Sequence, residues 1–263
     1  MNQLTPAGKT IRANILNASH LSGHGHIPTS FSVVEMLCGV YETMRHNPAN
    51  PAWEERDIFI LSKGHAALGF YCVLAHFGYF PIEKVATLGG FMSSFGCHPD
   101  RFKVPGVEVS TGSLGHGIGV AVGMALAFRL AHSPRQVYTL IGDGESNEGT
   151  VWEALMIANN LKLENLTVLY DNNQSQVRSL QIPNPGQRLE AFGCEVISVD
   201  GHDLPAIKAA LAQPHARPKA VVCQTIKGYG SRTLADNIFE WHRKSPNPAQ
   251  LEALRSELDA ERI

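Results

Sequence analysis

Five short, continuous apolar runs, each running into a polar or glycine-bearing tip, constrain this chain more than any other feature. They lie at 57–61 (DIFIL), 137–141 (VYTLI), 166–170 (LTVLY), 195–199 (EVISV) and 220–224 (AVVCQ). Runs of this length and composition read as buried strands of a parallel sheet. Helical patterns fall between and around them, near 7–21, 31–45, 65–77, 114–132, 149–161 and 203–212. Strand and helix alternate, so the expected class is α/β, a doubly wound, mainly parallel sheet with helices on both faces. No repeat or low-complexity linker divides the chain. Residues 1–263 are therefore expected to form a single domain, with a short C-terminal helical extension from about 245.

The tips are Ser62-Lys63-Gly64-His65, Gly142-Asp143-Gly144, Asp171-Asn172-Asn173, Asp200-Gly201-His202-Asp203 and Lys227-Gly228-Tyr229-Gly230. Open α/β sheets bind ligands outside the carboxyl ends of their strands, so these tips should share one crevice. Asp143 and Asn173 close successive strands, and the residues between them hold about one helix, a strand-helix-strand unit that sets both side chains side by side. A carboxylate, an amide oxygen and a nearby carbonyl, that of Ser175, are hard oxygen ligands too few to complete a coordination sphere. They make half of a Mg²⁺ or Ca²⁺ site, which phosphate oxygens would complete. The helix starting near Glu148 adds N–H donors and a positive dipole end. A glycine beside an aspartate is also an ordinary turn, and these residues alone leave that simpler alternative open.

Other chemistries lose support. The phosphate-binding loop G-x-x-x-x-G-K-[ST], a G-x-G-x-x-G after a strand, H-E-x-x-H and G-x-S-x-G are all missing from the 263 residues. A net charge of −2 lacks the basic footprint of a nucleic-acid binder. The five cysteines (Cys38, Cys72, Cys97, Cys194, Cys223) never fall in C-x-x-C spacing and read as reduced, mostly buried thiols of a cytoplasmic protein. The N-terminus has no apolar core of signal-peptide type, and the uncharged stretch 109–128 carries too many glycines and hydroxyls for a membrane span. Charged residues are 17%, below the roughly 25% of an average soluble protein, which suggests that a subunit interface covers part of the surface. Within 114–132, Gly115, Gly119 and Gly123 form a stripe without side chains. A tight contact inside the domain is the favoured reading, a subunit interface the second.

The motif Gly142-Asp143-Gly144-Glu145-Ser146-Asn147-Glu148-Gly149, continued by Val151-Trp152-Glu153-Ala154 and closed by Asp171-Asn172-Asn173, resembles the thiamine diphosphate signature of transketolases. It is most similar to the split kind, whose diphosphate-binding half is its own N-terminal subunit. The resemblance spans roughly 11–250, with Gly25-His26-Ile27, Leu61-Ser62-Lys63-Gly64-His65, Gly96-Cys97-His98-Pro99-Asp100, the 106–115 segment GVEVSTGSLG that opens on Gly106 and Val107, and Trp241-His242 in family order. It implies the thiamine-diphosphate-binding fold of the diphosphate domain and a cofactor pair of thiamine diphosphate with Mg²⁺ or Ca²⁺. Asp143, Asn173 and the Ser175 carbonyl would take the metal, with Gly142 and Gly144 beside the cofactor. His65 and His242 would face the diphosphate, and His26 and His98 the sugar end. Gly112 and Leu114 would lie along the aminopyrimidine. Glu148 would join a carboxylate network across the subunit interface, with Glu153 a weaker candidate. The other eight of the 12 histidines read as surface or core residues.

Three positions depart from the family pattern: Pro28-Thr29 after Ile27, Arg243 after His242, and His116 after Leu114-Gly115. All bear on which sugar is accepted. A full transketolase carries a second, pyrimidine-binding domain and a third, C-terminal domain, which hold the activating glutamate and the usual acceptor-phosphate binders. This chain ends at Ile263, so the expected partner is a chain carrying the pyrimidine and C-terminal domains, in a heterotetramer of two copies each. The expected activity is transfer of a two-carbon ketol unit from a ketose to an aldose, on sugars or sugar phosphates, without nucleic acid or membrane. The rivals are half of another thiamine diphosphate enzyme (deoxyxylulose-phosphate-synthase-like or a 2-oxoacid dehydrogenase component) and a non-catalytic regulatory subunit that keeps the fold.

Overall fold

A computed structural model describes residues 3–260. Five parallel strands, β1 (Ile58–Leu61), β2 (Val137–Gly142), β3 (Leu166–Asn172), β4 (Glu195–Asp200) and β5 (Lys219–Gln224), form one sheet in the order β1-β2-β3-β5-β4. Among the described residues, ten helices surround it: α1 (Pro6–Ser22), α2 (Ile27–Ser32), α3 (Val34–Thr43), α4 (Ala67–His76), α5 (His116–Leu130), α6 (Gly149–Asn160), α7 (Pro185–Ala191), α8 (Leu204–Ala212), α9 (Arg232–Asp236) and α10 (Pro248–Asp259). Successive strand residues point to opposite faces. Phe59, Leu61, Tyr138, Leu140, Leu169 and Val221 enter one core with α1–α4 and α8. Ile58, Ile60, Val137, Ile141, Val168 and Val222 enter the other with α5, α6 and α7. The order runs one way from β1 to β4 and turns back to β5, and α8, which makes that return, lies on the opposite face from α6 and α7. Right-handed crossovers demand that switch of side.

The boundaries differ from the sequence reading in instructive places. The strand expected at 166–170 continues to Asn172, so Asp171 is a buried strand residue paired with Gly142 and Cys223. The strand expected as buried at 195–199 is an edge strand, half-exposed along its length, with a neighbouring strand, β5, on one side alone; its Glu195, Ser198 and Asp200 reflect that open edge. The helix expected over 31–45 is two helices broken at Val33. Pro28, suited to a first turn, starts α2 early, and the Ser32 hydroxyl, 2.9 Å from the Thr29 carbonyl, bends the chain at its end. The short helices α7 and α9 carried no sequence signal strong enough to read. Helix α10 opens on a capping box between Asn247 and Gln250, and its Leu254 and Leu258 pack into the first core beside α1.

The glycine stripe is corrected at two of its three positions. Gly119 and Gly123 face outward, with nothing within 4 Å of where a Cβ would stand. Close approaches inside the domain are made by Gly115, whose Cβ would fall 2.3 Å from Thr150 Oγ1 and 2.7 Å from Glu148 Cβ, as the favoured reading expected, and by Gly117, whose Cβ would fall 2.6 Å from the Ser62 Cα. Val120 and Leu130 of α5 and Met156 and Ile157 of α6 are exposed apolar side chains on the same two helices. No described helix is long and apolar enough to cross a membrane, and all five cysteines are free thiols, four of them buried.

Candidate cofactor site

The carboxyl ends of β1, β2, β3 and β5, with the loops at 98 and 112–114 and the segment at 239–243, enclose a cavity of about 460 Å³. It gathers His26, His65, His98, Gly112, Leu114, Gly142, Asp143, Gly144, Asn173, Ser175 and His242 in one wall-to-wall arrangement. Glu148 does not line it. That residue caps α6 on the exposed rim, and Glu153 lies one turn further on, outside the cavity.

Asp143 and Asn173 are bridged by one residue: Ser175 donates its hydroxyl to Asp143 Oδ1 at 2.5 Å and its backbone N–H to Asn173 Oδ1 at 3.1 Å. Gly144 N–H also reaches Asp143 Oδ1, at 2.7 Å. Both of these bonds fall on Oδ1, which leaves Oδ2 as the carboxylate oxygen open to a ligand. Behind this pair, the buried carboxylate of Asp171 takes Asn173 Nδ2 at 2.8 Å, the Ser32 hydroxyl at 3.0 Å, the ammonium of Lys63 and the hydroxyl of Thr225. Both Lys63 and Asp171 are almost fully buried, so each neutralises the other. This leaves one carboxylate oxygen and one amide oxygen at the tip, donors of the hard type that a Mg²⁺ or Ca²⁺ ion takes. No group of three or more His, Cys, Asp or Glu among the described residues could hold a metal ion without further ligands.

The opposite wall is an imidazole cluster. The ring centroids of His26 and His65 lie 5.5 Å apart, those of His26 and His242 5.0 Å, and those of His65 and His242 6.2 Å. Burial, reinforced by the neighbouring positive groups His242, Arg243, His98 and Lys227, lowers the His26 pKa to about 4. Burial, with Lys63 beside it, holds His65 far below the ordinary histidine range, and burial with Lys227 and Arg243 lowers His242. These rings are neutral near pH 7, each with one donor and one acceptor nitrogen.

Several functional residues were inside quoted motifs but were given no role. Lys227, in the tip after β5, lines the cavity 3.5 Å from His242 Nδ1. Burial and the nearby Lys63 lower its pKa to about 8. Glu145 is 2% exposed; its carboxylate accepts the Ser62 hydroxyl at 2.5 Å, Gly115 N–H at 2.9 Å and Gly142 N–H at 3.3 Å. One side chain thus ties the β1 tip, the 112–115 loop and the β2 tip together. Burial raises its pKa, and those three bonds oppose the shift. Arg243 lines the mouth with an exposed guanidinium.

A pair of hard oxygen donors, buried polar groups and a neutral imidazole cluster at the carboxyl edge of a parallel sheet have the character of a site for an anionic cofactor. Comparison with known proteins agrees. Residues 5–259 match the family model described as transketolase, thiamine diphosphate binding domain. A subunit of the apulose-4-phosphate transketolase of Actinobacillus succinogenes is 38% identical over 99% of this chain and 97% of its own. The 6-deoxy-6-sulfo-D-fructose transketolase subunit SqwG of a Clostridium species is 39% identical over 91% and 90%. The transketolase of Leishmania mexicana superposes with a TM-score of 0.89 at 29% identity, covering 98% of this chain and 42% of that one. The chain therefore belongs to the transketolase family. It carries the family's thiamine-diphosphate-binding domain; it spans about two fifths of the full-length transketolases it resembles and nearly the whole length of the relatives named as subunits.

Proposed function

We propose that this subunit, completed by a chain carrying the pyrimidine and C-terminal domains, moves a two-carbon ketol unit from a ketose to an aldose in a cytoplasmic heterotetramer of two copies each. The observation that carries the reading is the convergence of Asp143, Asn173 and four motif histidines on one cavity. Its donor set fits the group: two hard oxygens at the tip suit a Mg²⁺ or Ca²⁺ ion, which Asp143, Asn173 and the Ser175 carbonyl would hold and which would neutralise diphosphate charge. Lys227, with His65 and His242, would neutralise and hydrogen-bond the diphosphate. Gly112 and Leu114 would form the surface against the aminopyrimidine.

Thiamine diphosphate supplies the carbanion chemistry when bound, and the protein's contribution is placement, charge balance and proton transfer. His26 and His98 would hold or move protons at the ketose hydroxyls, a task for which a neutral imidazole with one donor and one acceptor is suited. Burial that keeps the His26 ring uncharged supports it as a proton acceptor at neutral pH. Glu148, exposed at the α6 cap, would meet carboxylates of the partner chain. The relatives described above are named for apulose-4-phosphate and for 6-deoxy-6-sulfo-D-fructose, one phosphorylated and one sulfonated. We take the donor here to be a ketose with an anionic terminal group, and the exposed Arg243 at the cavity mouth supports that choice. A coupled ketol-transfer assay on the reconstituted two-chain complex, run over phosphorylated, sulfonated and uncharged ketoses, tests the whole reading. Absence of transfer from every ketose, with the complex assembled and cofactor bound, would overturn it.

A further inference from the structure

Of the five strand tips, the one after β4 stays out of the cofactor cavity: none of residues 200–203 lines it, and His202 is buried elsewhere, 7% exposed. Its partners form a network that reaches α1 and α3. The fully buried Arg12 guanidinium meets Glu35 through two nitrogens, at 2.6 and 2.8 Å, and Glu35 Oε2 lies 3.2 Å from His202 Nδ1. The other ring nitrogen, Nε2, accepts the backbone N–H of Ile226 at 2.9 Å. A backbone N–H is always a donor, so Nε2 carries the lone pair and the His202 proton sits on Nδ1, facing Glu35. Arg12 reaches past Glu35 as well: Nε donates to the Tyr229 carbonyl at 2.9 Å and Nη2 to the Phe31 carbonyl at 2.8 Å. The rings of His202 and Tyr229 stack, with 3.6 Å between centroids and 7° between planes.

The network holds both ends of one turn. Ile226, Lys227, Gly228 and Tyr229 form a four-residue turn, closed by the Tyr229 N–H on the Ile226 carbonyl at 3.0 Å, with Gly228 in third place at a φ of +90°. His202 fixes the first residue by its N–H and Arg12 the last by its carbonyl, while the Pro28 carbonyl accepts Gly228 N–H at 3.0 Å between them. Lys227 is the residue that remains, and its side chain lines the cavity. A lysine is a point charge on a flexible four-carbon stem, so its ammonium is placed by where its backbone is held. A guanidinium and a carboxylate are costly to take out of water, and a buried pair of them is weak evidence for stability alone. Here the pair, through His202 and through Arg12 itself, directs two hydrogen bonds at the turn that carries Lys227.

We propose that His202, backed by Glu35 and Arg12, is a positioning residue for Lys227, holding the turn so that the ammonium meets the diphosphate of the cofactor. The proposal rests on the reading of this cavity as the diphosphate site. His202 touches no ligand. Its effect passes through the bond to Ile226 N–H and on to the next residue, and so it should vanish once the Lys227 ammonium is gone.

His202→Phe keeps a flat ring against Tyr229 and removes the acceptor; His202→Gln returns an acceptor to Ile226. Each is assembled with the partner chain, alone and combined with Lys227→Met, and titrated calorimetrically with thiamine diphosphate and with inorganic diphosphate, each with Mg²⁺. His202→Phe should weaken both ligands roughly three- to thirtyfold, since it loosens the ammonium without removing it, and His202→Gln should stay within about threefold of wild type. In the Lys227→Met background His202→Phe should change neither affinity by more than about twofold, whereas a role in the general fold would give the same loss with and without the lysine. Unchanged affinity in His202→Phe overturns the proposal, as does a loss undiminished in the Lys227→Met background. A His202→Gln variant as weak as His202→Phe overturns it too, and so does wild-type affinity in Lys227→Met, which would take the ammonium away from the diphosphate. Should His202→Phe fail to assemble, His202→Asn, too short to reach Ile226 but still polar toward Glu35, enters the same cycle. Failure of both to assemble overturns the proposal, because the network then holds the fold rather than the turn. If wild type itself fails to bind thiamine diphosphate, the failure lies with the cavity reading rather than with His202.

Discussion

Asn173 donates its side-chain N–H to the buried carboxylate of Asp171, two residues earlier, at 2.8 Å. That bond decides which way the amide points: the nitrogen is turned inward to Asp171 and Ser32, and the oxygen outward beside Asp143. An asparagine ligand needs such a fixed orientation, because the flipped amide would present a donor to the cation. The extension of β3 to Asn172 makes it possible, since it carries Asp171 into the sheet and leaves Asn173 at the rim.

Asp143→Ala and Asn173→Ala should each abolish metal-dependent binding of thiamine diphosphate to the assembled complex, since each removes one of two side-chain ligands. Asp171→Asn should keep the volume but lose the orienting carboxylate, lowering metal affinity about 10–100-fold, the usual cost of disturbing a ligand's outer partner. Calorimetric titration with Mg²⁺ and cofactor measures all three. Wild-type affinity in both alanine variants would remove the metal assignment.

His26→Ala and His98→Ala should lower kcat by about 10²–10⁴ while leaving cofactor affinity nearly unchanged, because both are placed at the reacting sugar. Steady-state rates at saturating cofactor, set beside calorimetric cofactor affinities, separate the two effects. A variant that kept full turnover but lost cofactor would exchange its role with that of His65 or His242.

Lys227 provides a pH signature. Burial, with Lys63 beside it, depresses its pKa to about 8, so the empty site holds it charged below that value and neutral above. A bound diphosphate favours the charged form. Cofactor affinity should therefore be flat just below pH 8 and fall as pH rises through it, with binding taking up a proton on the alkaline side. The neighbouring groups do not interfere there. Lys63 is ion-paired with Asp171, and the rings of His26, His65 and His242 are already neutral at such a pH. Lys227→Met should weaken cofactor at neutral pH and flatten the alkaline limb. An identical alkaline limb in Lys227→Met would rule the lysine out.

The fold was legible because a parallel sheet covered on both faces writes its strands as plain apolar runs, and the four ladders follow those runs closely. At the strand tips Asp143 and Asn173 could be singled out from the residues themselves, and one cavity gathers them; His26, His98 and His242 follow no strand and were named through the family resemblance. What could not be read depends on partners distant in sequence. Lys63 and Asp171 are 108 residues apart, and Glu145 gathers Ser62, 83 residues away, and Gly115, 30 away. The glycine stripe held at Gly115 and failed at Gly119 and Gly123 for a different reason: four-residue spacing marks one helix face without saying whether that face looks inward, and at those two positions on α5 it looks out.

That outward face leads to the last expectation, which concerns assembly. Val120 and Leu130 of α5 and Met156 and Ile157 of α6 are 40, 70, 59 and 53% exposed, beside the bare backbone of Gly119 and Gly123. A contiguous apolar face of this kind marks an interaction surface. It adjoins the cofactor cavity, since Leu114 and Gly115 precede α5 directly and Glu148 caps α6. The chain alone should therefore be inactive with every sugar pair, and activity should appear when a second chain supplies the activating glutamate. Size exclusion with light scattering should then show two copies of each chain. Met156→Glu should leave the fold intact, because its side chain is outside both cores, but should weaken assembly and lower activity in a way that higher protein concentration restores. Robust turnover by the single chain, or a Met156→Glu variant that assembles like wild type, would mean that the cofactor is enclosed by some other surface.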